Sequence, residues 1–431
     1  MGITGFYSFF ESAATTKYIS ELRGSIVVVD LSGVLIRFGI GIRNQGNDKK
    51  NKDGRVINHL YALVKYTRTL LEKGIFPFYV FDGKISRNKI STAERKQNKI
   101  ISHAKCESIT DKTSPEFIKH FKRGYSFSRS DIEECKQLLE FMGIPYIHAP
   151  GEADSQCAAI AHKFSHLISG VVTDDSDILI YGCPKTYKDF NPRTSTMTEY
   201  NYLSVIDIFH KKINEILRNI GKPLIKYDHT FLKNTLRQFC ILMGSDYGKL
   251  ITIKNNLNKN YILLKLFVQC NFDVMCLINK IKTDNTYSGK YTFHVNEDIV
   301  ENFNRADSEY TDSSVIVPDE SMITINYPKS DMLANFLSET MNYDSKEIAT
   351  LIGVITNNYY IFREMRELRR NNGGSLTDNT FGSFSTYQYR YCKKNINNGS
   401  KYNGIKNEPC QTNNRWQHNT RDNVCAIRAY G

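Results

Sequence analysis

No stretch of the sequence approaches the run of about eighteen apolar residues that a membrane-spanning helix needs, and the mean hydropathy is −0.42. The N-terminal segment MGITGFYSFFESAATTKY has no basic region followed by a continuous apolar core, so a secretory leader is not expected. The ten cysteines (Cys106, Cys135, Cys157, Cys183, Cys240, Cys270, Cys276, Cys392, Cys410 and Cys425) include no CxxC pair, which argues against a structural zinc. In the reducing compartment that a missing leader implies, most of these thiols are expected to be small buried apolar groups. There is no internal repeat. Together these absences exclude an integral membrane protein, a collagen and a small disulfide scaffold.

What is present is a 431-residue chain that is 41% apolar, enough for one large domain or a few smaller ones, each with a real core. Its 57 basic and 45 acidic residues leave a formal charge of +12, which points toward a polyanionic partner only in combination with other signals. SIVVVD (25–30), FPFYVFD (76–82) and SGVVTDDSD (169–177) are short apolar runs that end on carboxylates, as expected of parallel strands covered on both faces. Between the first two, Leu60, Leu63, Val64, Thr67, Leu70 and Leu71 carry a helical period closed by Gly74. A further helix over Ile132–Met142 precedes a strand-like IPYI. The alternation predicts a doubly wound α/β sheet.

From Lys84 to Arg129 the chain is strongly basic and thinly apolar, compatible with a solvated charged helix or with a basic element lying over the sheet's C-terminal edge and gripping phosphates. Residues 228–285 read as helical with a short Gly-containing turn, and 331–365 as two amphipathic helices. Beyond about 371 the composition shifts to Asn, Gly, Ser, Thr and Tyr, with Asn near a fifth of residues, so a mostly disordered tail is expected.

The chemical signal lies in where the acids fall. Asp30 and Asp82 end strands, Glu152 and Asp154 sit in APGEADSQCAA, Asp174, Asp175 and Asp177 in TDDSD, and Asp246 in LMGSDY. Any one of them reads equally well as a helix N-cap or turn residue. Strand-ending acids at four successive crossovers do not, because in an open α/β sheet the ligand crevice lies beyond the carboxyl ends of the strands. Carboxylates brought together there repel one another, and hard divalent cations such as Mg²⁺ or Mn²⁺ relieve that repulsion.

These motifs resemble the XPG-type structure-specific nucleases, and within them the flap endonucleases. The likeness runs through MGITGFYSFF, VVVDLSGVL, GIFPFYVFDGK, ECKQLLEFMGIPYIHAPGEADSQCA, VVTDDSDILIYG and FCILMGSDYG in family order, weakens at 315–357, and leaves the tail beyond 371 unmatched. The resemblance implies a PIN-like 5′-nuclease core: a mostly parallel twisted sheet flanked by helices, a basic helical arch and a helical DNA-binding region. It implies metal ligation, direct or through water, by Asp30, Asp82, Glu152, Asp154, Asp175, Asp177 and Asp246, with two Mg²⁺ ions per site and Mn²⁺ able to substitute; Asp174 is not among the ligands. Lys89, with Arg95 or Lys96, is implied to supply charge at the scissile phosphate. Gly2, Lys84, Arg87, Lys99, Lys249 and Lys254 are implied to contact DNA.

Two departures stand out. GKLITIKNNLNKNYILL lacks the paired glycines of the family's potassium-binding hairpin, so Lys249, Lys254 and Lys259 are left to grip the duplex, and Ile36 stands where a base-stacking tyrosine is usual. The tail holds no sliding-clamp motif. The expected organisation is an N-terminal nuclease region (1–105), the rest of the arch (106–135), an internal nuclease region (136–227), a degenerate duplex-binding region (228–290), a helical extension (291–370) and the tail (371–431). The expected function is Mg²⁺-dependent cleavage of 5′ flaps or branched DNA in replication, repair or recombination, by a monomer with no membrane partner. A catalytically inactive branched-DNA scaffold and a metal-dependent ribonuclease remain the alternatives. The Asn, Lys, Ile and Tyr richness is compatible with an AT-rich genome such as that of a large DNA virus or a protist, and hence with an intracellular location in a nucleus or viral replication compartment.

Overall fold

In the computed structural model the described residues are 2–84, 90–248, 250–253, 258–283, 286–287 and 291–371. Arg87, Lys89, Lys249, Lys254 and nearly all of the Asn-rich tail therefore lie outside them. The apolar runs form the centre of a seven-stranded sheet. Its strands are β1 (Ala14–Tyr18), β2 (Ile26–Asp30), β3 (Phe76–Phe81), β4 (Tyr146–His148), β5 (Ile168–Val172), β6 (Lys185–Asn191) and β7 (Thr196–Asn201). They lie in the order β1-β7-β6-β5-β2-β3-β4. The contiguous strands β6, β5, β2, β3 and β4 run parallel, with Val29 opposite both Tyr79 and Val172, while β7 is antiparallel to β6 and β1 to β7.

The chain leaves β2 for β3 and β4 on one side and later returns to β5 on the other. Strand order therefore reverses between β2 and β5, the position at which such sheets open a crevice. Val27, Val28, Val29, Phe78 and Val80 are fully buried, which explains why these segments lack the polar alternation of a half-exposed strand. Replacing Phe78 by alanine would cost about 3–5 kcal/mol.

Helices cover the sheet and extend it. In chain order they are α1 (Phe6–Phe9), α2 (Leu31–Ile42), α3 (Asn58–Glu72), α4 (Ile90–Ser108), α5 (Pro115–Arg123), α6 (Arg129–Met142), α7 (Ala153–Lys163), α8 (Asp177–Ile180), α9 (Tyr202–Asn219) and α10 (His229–Met243). Beyond them follow α11 (Lys259–Gln269), α12 (Val274–Thr283), α13 (Ile299–Thr311), α14 (Ser330–Met341) and α15 (Ser345–Asn371). The N-terminal segment is part of the core: Phe6 and Phe10 are buried, and Phe9 and Phe10 pack on Phe239 and Phe209 with ring centroids 5.4 and 6.3 Å apart.

The helical reading of 228–285 needs one correction. Ile251–Ile253 is a strand, β8, in a small antiparallel sheet with β9 (Thr286–Tyr287) and β10 (Tyr291–Val295), ordered β8-β10-β9. Its partner lies some forty residues downstream, so no local period announces it. No single helix among the described residues is long and apolar enough to cross a membrane.

Candidate metal centre

Six of the seven predicted ligands follow the carboxyl ends of β2, β3, β4 and β5, and Asp246 follows helix α10. Asp30 ends β2 and caps α2, accepting from the Gly33 amide at 3.3 Å. Asp82 follows β3 and accepts from the Ala153 amide at 2.9 Å, which ties that strand end to the first turn of α7. Glu152 is the N-cap of α7 and Asp154 lies in its first turn. Gly83 lets the two strand ends meet: its amide donates to the Gly151 carbonyl at 2.7 Å, and a Cβ there would lie 1.9 Å from the Ala149 carbonyl oxygen.

Past β5, Asp175 accepts from the Asp177 amide at 3.2 Å, and the buried Asp177 accepts from the Tyr310 hydroxyl at 2.9 Å. Burial, and next the charge of Asp177, push the Tyr310 hydroxyl well above the ordinary range, so it keeps its proton and donates. Asp246, after α10, is buried and accepts from the Gly2 amide at 3.4 Å.

Electrostatics place these groups in one field. Burial, and then the charge of Asp82, push the Asp30 carboxyl up to about 7, with Asp175 adding to the rise and the Gly33 amide opposing it. The buried thiol of Cys157 is raised well above its usual range by burial and then by Asp30, Asp154 and Asp82. Tyr181 is raised by burial and Tyr247, then by Glu152, Asp177 and Asp154.

Gly2, with φ 84°, lies among Asp175, Asp177 and Asp246. A Cβ on it would stand 2.2 Å from Asp175 Oδ1 and 2.7 Å from Asp177 Oδ1, so these two oxygens lie side by side against Gly2, a closeness that only a glycine permits. Ile3 fastens this segment by donating its amide to Ser176 Oγ at 2.7 Å. An all-oxygen, multiply acidic donor set suits hard divalent cations rather than soft ones.

Among its described residues the basic segment is largely helical, and α4 meets this edge through Arg95. Arg95, on α4, pairs with Asp246 at 2.8 Å, and its side chain remains 42% exposed. Lys96 and Lys84 are exposed, and Lys99 is half-buried, its ammonium depressed by burial and then by the neighbouring Arg95. At the arch's other end Arg43 forms a buried pair with Asp48, at 2.6 and 3.0 Å. It donates to the Phe121 carbonyl at 2.9 Å and stacks over Phe121 and Tyr125.

Sequence reasoning missed Arg43 and Tyr310, which lie in none of the acidic motifs, and gave no role to Gly83, which follows Asp82 within GIFPFYVFDGK. It also missed His59, whose Nε2 stands 2.9 Å from Glu134 and 3.6 Å from Asp131 between α3 and α6. Among the described residues that trio is the one whose possible ligand atoms all lie within 4.8 Å of one another; no three of the seven predicted acids draw that close. Glu134 is also paired with Arg55, and Asp131 is the partner of Ser128 in a capping box, so the trio fastens two helices. Asp174 turns away from the site, to Arg37 at 2.9 Å and the Asp189 amide at 2.9 Å.

Residues 1–102 match the XPG N-terminal domain and residues 143–246 the XPG I-region. The chain is 31% identical to Flap endonuclease 1-A of Xenopus laevis over 257 residues, covering 58% of this chain and 62% of that one. It thus spans about three-fifths of the length of that relative. Its fold is that of flap endonuclease-1 from Methanococcus jannaschii, at a TM-score of 0.52 and 19% identity, covering 80% of this chain and 96% of the other. It also superposes on human GEN1 in complex with Holliday junction DNA, at a TM-score of 0.52 and 18% identity, covering 88% and 81%.

Proposed function

Since the chain belongs to the XPG/flap endonuclease family, we propose that it is a metal-dependent, structure-specific nuclease that cleaves phosphodiester bonds at 5′ flaps or branched DNA. What supports this reading is that six of the predicted carboxylates follow the carboxyl ends of strands β2 to β5, around the switch point, and that Arg95 of the basic helix α4 reaches the seventh, Asp246. Asp30, Asp82, Glu152, Asp154, Asp175, Asp177 and Asp246 would hold two Mg²⁺ ions. When bound, such ions lower the pKa of a water nucleophile and stabilise the leaving oxygen of an in-line displacement.

The chain's own residues do the rest. Arg95 exchanges its carboxylate partner for a phosphate oxygen, and Lys89 and Lys96 add charge where negative charge develops. Lys84, Arg87 and Lys99 on the arch hold the single strand, and Lys249 and Lys254 hold the duplex by phosphate contacts that carry no sequence preference.

The test is a substrate panel of flap, nick, gap, bubble and single strand, run with Mg²⁺ and with chelator. Cleavage of the flap or bubble only with the cation is expected. Asp175→Ala should lower turnover by more than about 100-fold while binding persists. Binding by the intact protein without any product would establish the inactive scaffold instead.

A further inference from the structure

Helix α13 lies outside both stretches that match the XPG domains, yet it reaches the candidate centre. It is held on α10 by Arg237, which pairs with Asp307 at 2.8 Å with both side chains largely covered. One turn further on, Tyr310 enters between Tyr181 and Tyr247, with ring centroids 5.5 and 5.3 Å away. Its hydroxyl donates to Oδ2 of Asp177, while Oδ1 of the same carboxylate lies against Gly2 beside Oδ1 of Asp175. A hydrogen bond to one carboxylate oxygen, from a donor whose ring is packed on two sides, narrows the rotation of that side chain and hence the directions open to its other oxygen.

We infer that Tyr310 is a positioning residue for metal binding: it orients Asp177 so that Oδ1 is presented to a divalent cation shared with Asp175. Outer partners of this kind usually set metal affinity by tenfold to about 100-fold, because an unheld ligand must be ordered when the ion binds. Packing alone explains the rings but not the hydroxyl, which a phenylalanine would lack at no loss of shape.

The inference rests on the metal-centre reading above, and the experiment separates the two. Mn²⁺ is titrated into the full-length protein without DNA, following free Mn²⁺ by electron paramagnetic resonance, with melting in EDTA as a check of folding. Tyr310→Phe is expected to weaken Mn²⁺ binding about 10- to 100-fold, with cleavage recovering as Mn²⁺ is raised. Tyr181→Phe, which removes a hydroxyl from the same ring cluster and leaves the Tyr310–Asp177 bond in place, is expected to bind as the parent does. If Asp175→Ala leaves Mn²⁺ binding intact, the metal-centre reading falls. If Asp175→Ala abolishes binding while Tyr310→Phe does not weaken it, or Tyr181→Phe weakens it equally, the positioning role alone falls.

Discussion

At Asp246 an arginine stands where a cation is expected. Arg95 donates to Oδ2 at 2.8 Å from a carboxylate that is itself almost covered, so the arch and a metal ion would draw on the same charge. Arg95→Gln should therefore act in two directions. Metal binding in the absence of DNA should tighten, as a competing cation is gone, while single-turnover cleavage of bound DNA should slow by about 10²-fold. Calorimetric Mn²⁺ titration and rapid-quench cleavage measure the two effects, and an unchanged cleavage rate would remove Arg95 from the chemistry. The strand-end places of Asp30 and Asp82 were legible in the sequence, because a carboxylate closing an apolar strand is a local pattern. The choice between Arg95 and Lys96 was not, since adjacent helix positions differ by about 100° in direction and nothing local says which faces the sheet. Tyr310 was hidden altogether: it reaches Asp177 across 133 positions of chain, through the docking of a helix that carries no motif.

Among the elements, the arch shows how a charged segment acquires a buried side. Phe117 and His120 on α5 are buried, and Arg43 lies flat against Phe121 while its guanidinium is closed by Asp48. Asp48 also accepts from Asn58 Nδ2 at 2.6 Å, so one polar knot joins the end of α2, the start of α3 and the foot of the arch. Arg43→Met leaves that carboxylate buried with its cation removed and should cost about 3–5 kcal/mol in urea denaturation. Adding Asp48→Asn should recover much of the loss, since the uncompensated charge goes with it. Equal stability of Arg43→Met and the parent would show that the pair contributes nothing net. Composition marked 84–129 as basic and partly helical, but not as anchored, because the anchor lies in a different part of the chain. The same limit concealed β8, whose partner β10 is remote in sequence, whereas α3 and α6 were readable from their own apolar period.

For the whole molecule, the charge of +12 and the arch predict an association governed by phosphates. Affinity for a flap substrate, followed by fluorescence anisotropy between 50 and 200 mM salt, should fall with a slope of about −0.9 per phosphate neutralised; a flat response would exclude a phosphate-dominated grip. The doubly wound sheet and its reversal of order followed from strand-and-helix alternation, and with them the edge on which a ligand must sit. What alternation could not supply is the closure of that edge by Gly2 at one extreme and α13 at the other. A ribosome that has just finished Asp246 has already made every predicted ligand, but α13, which steadies Asp177, is still to come. The nascent polypeptide thus completes the packing around Asp177 only late in its synthesis, a timing delay written into the order of the folded parts.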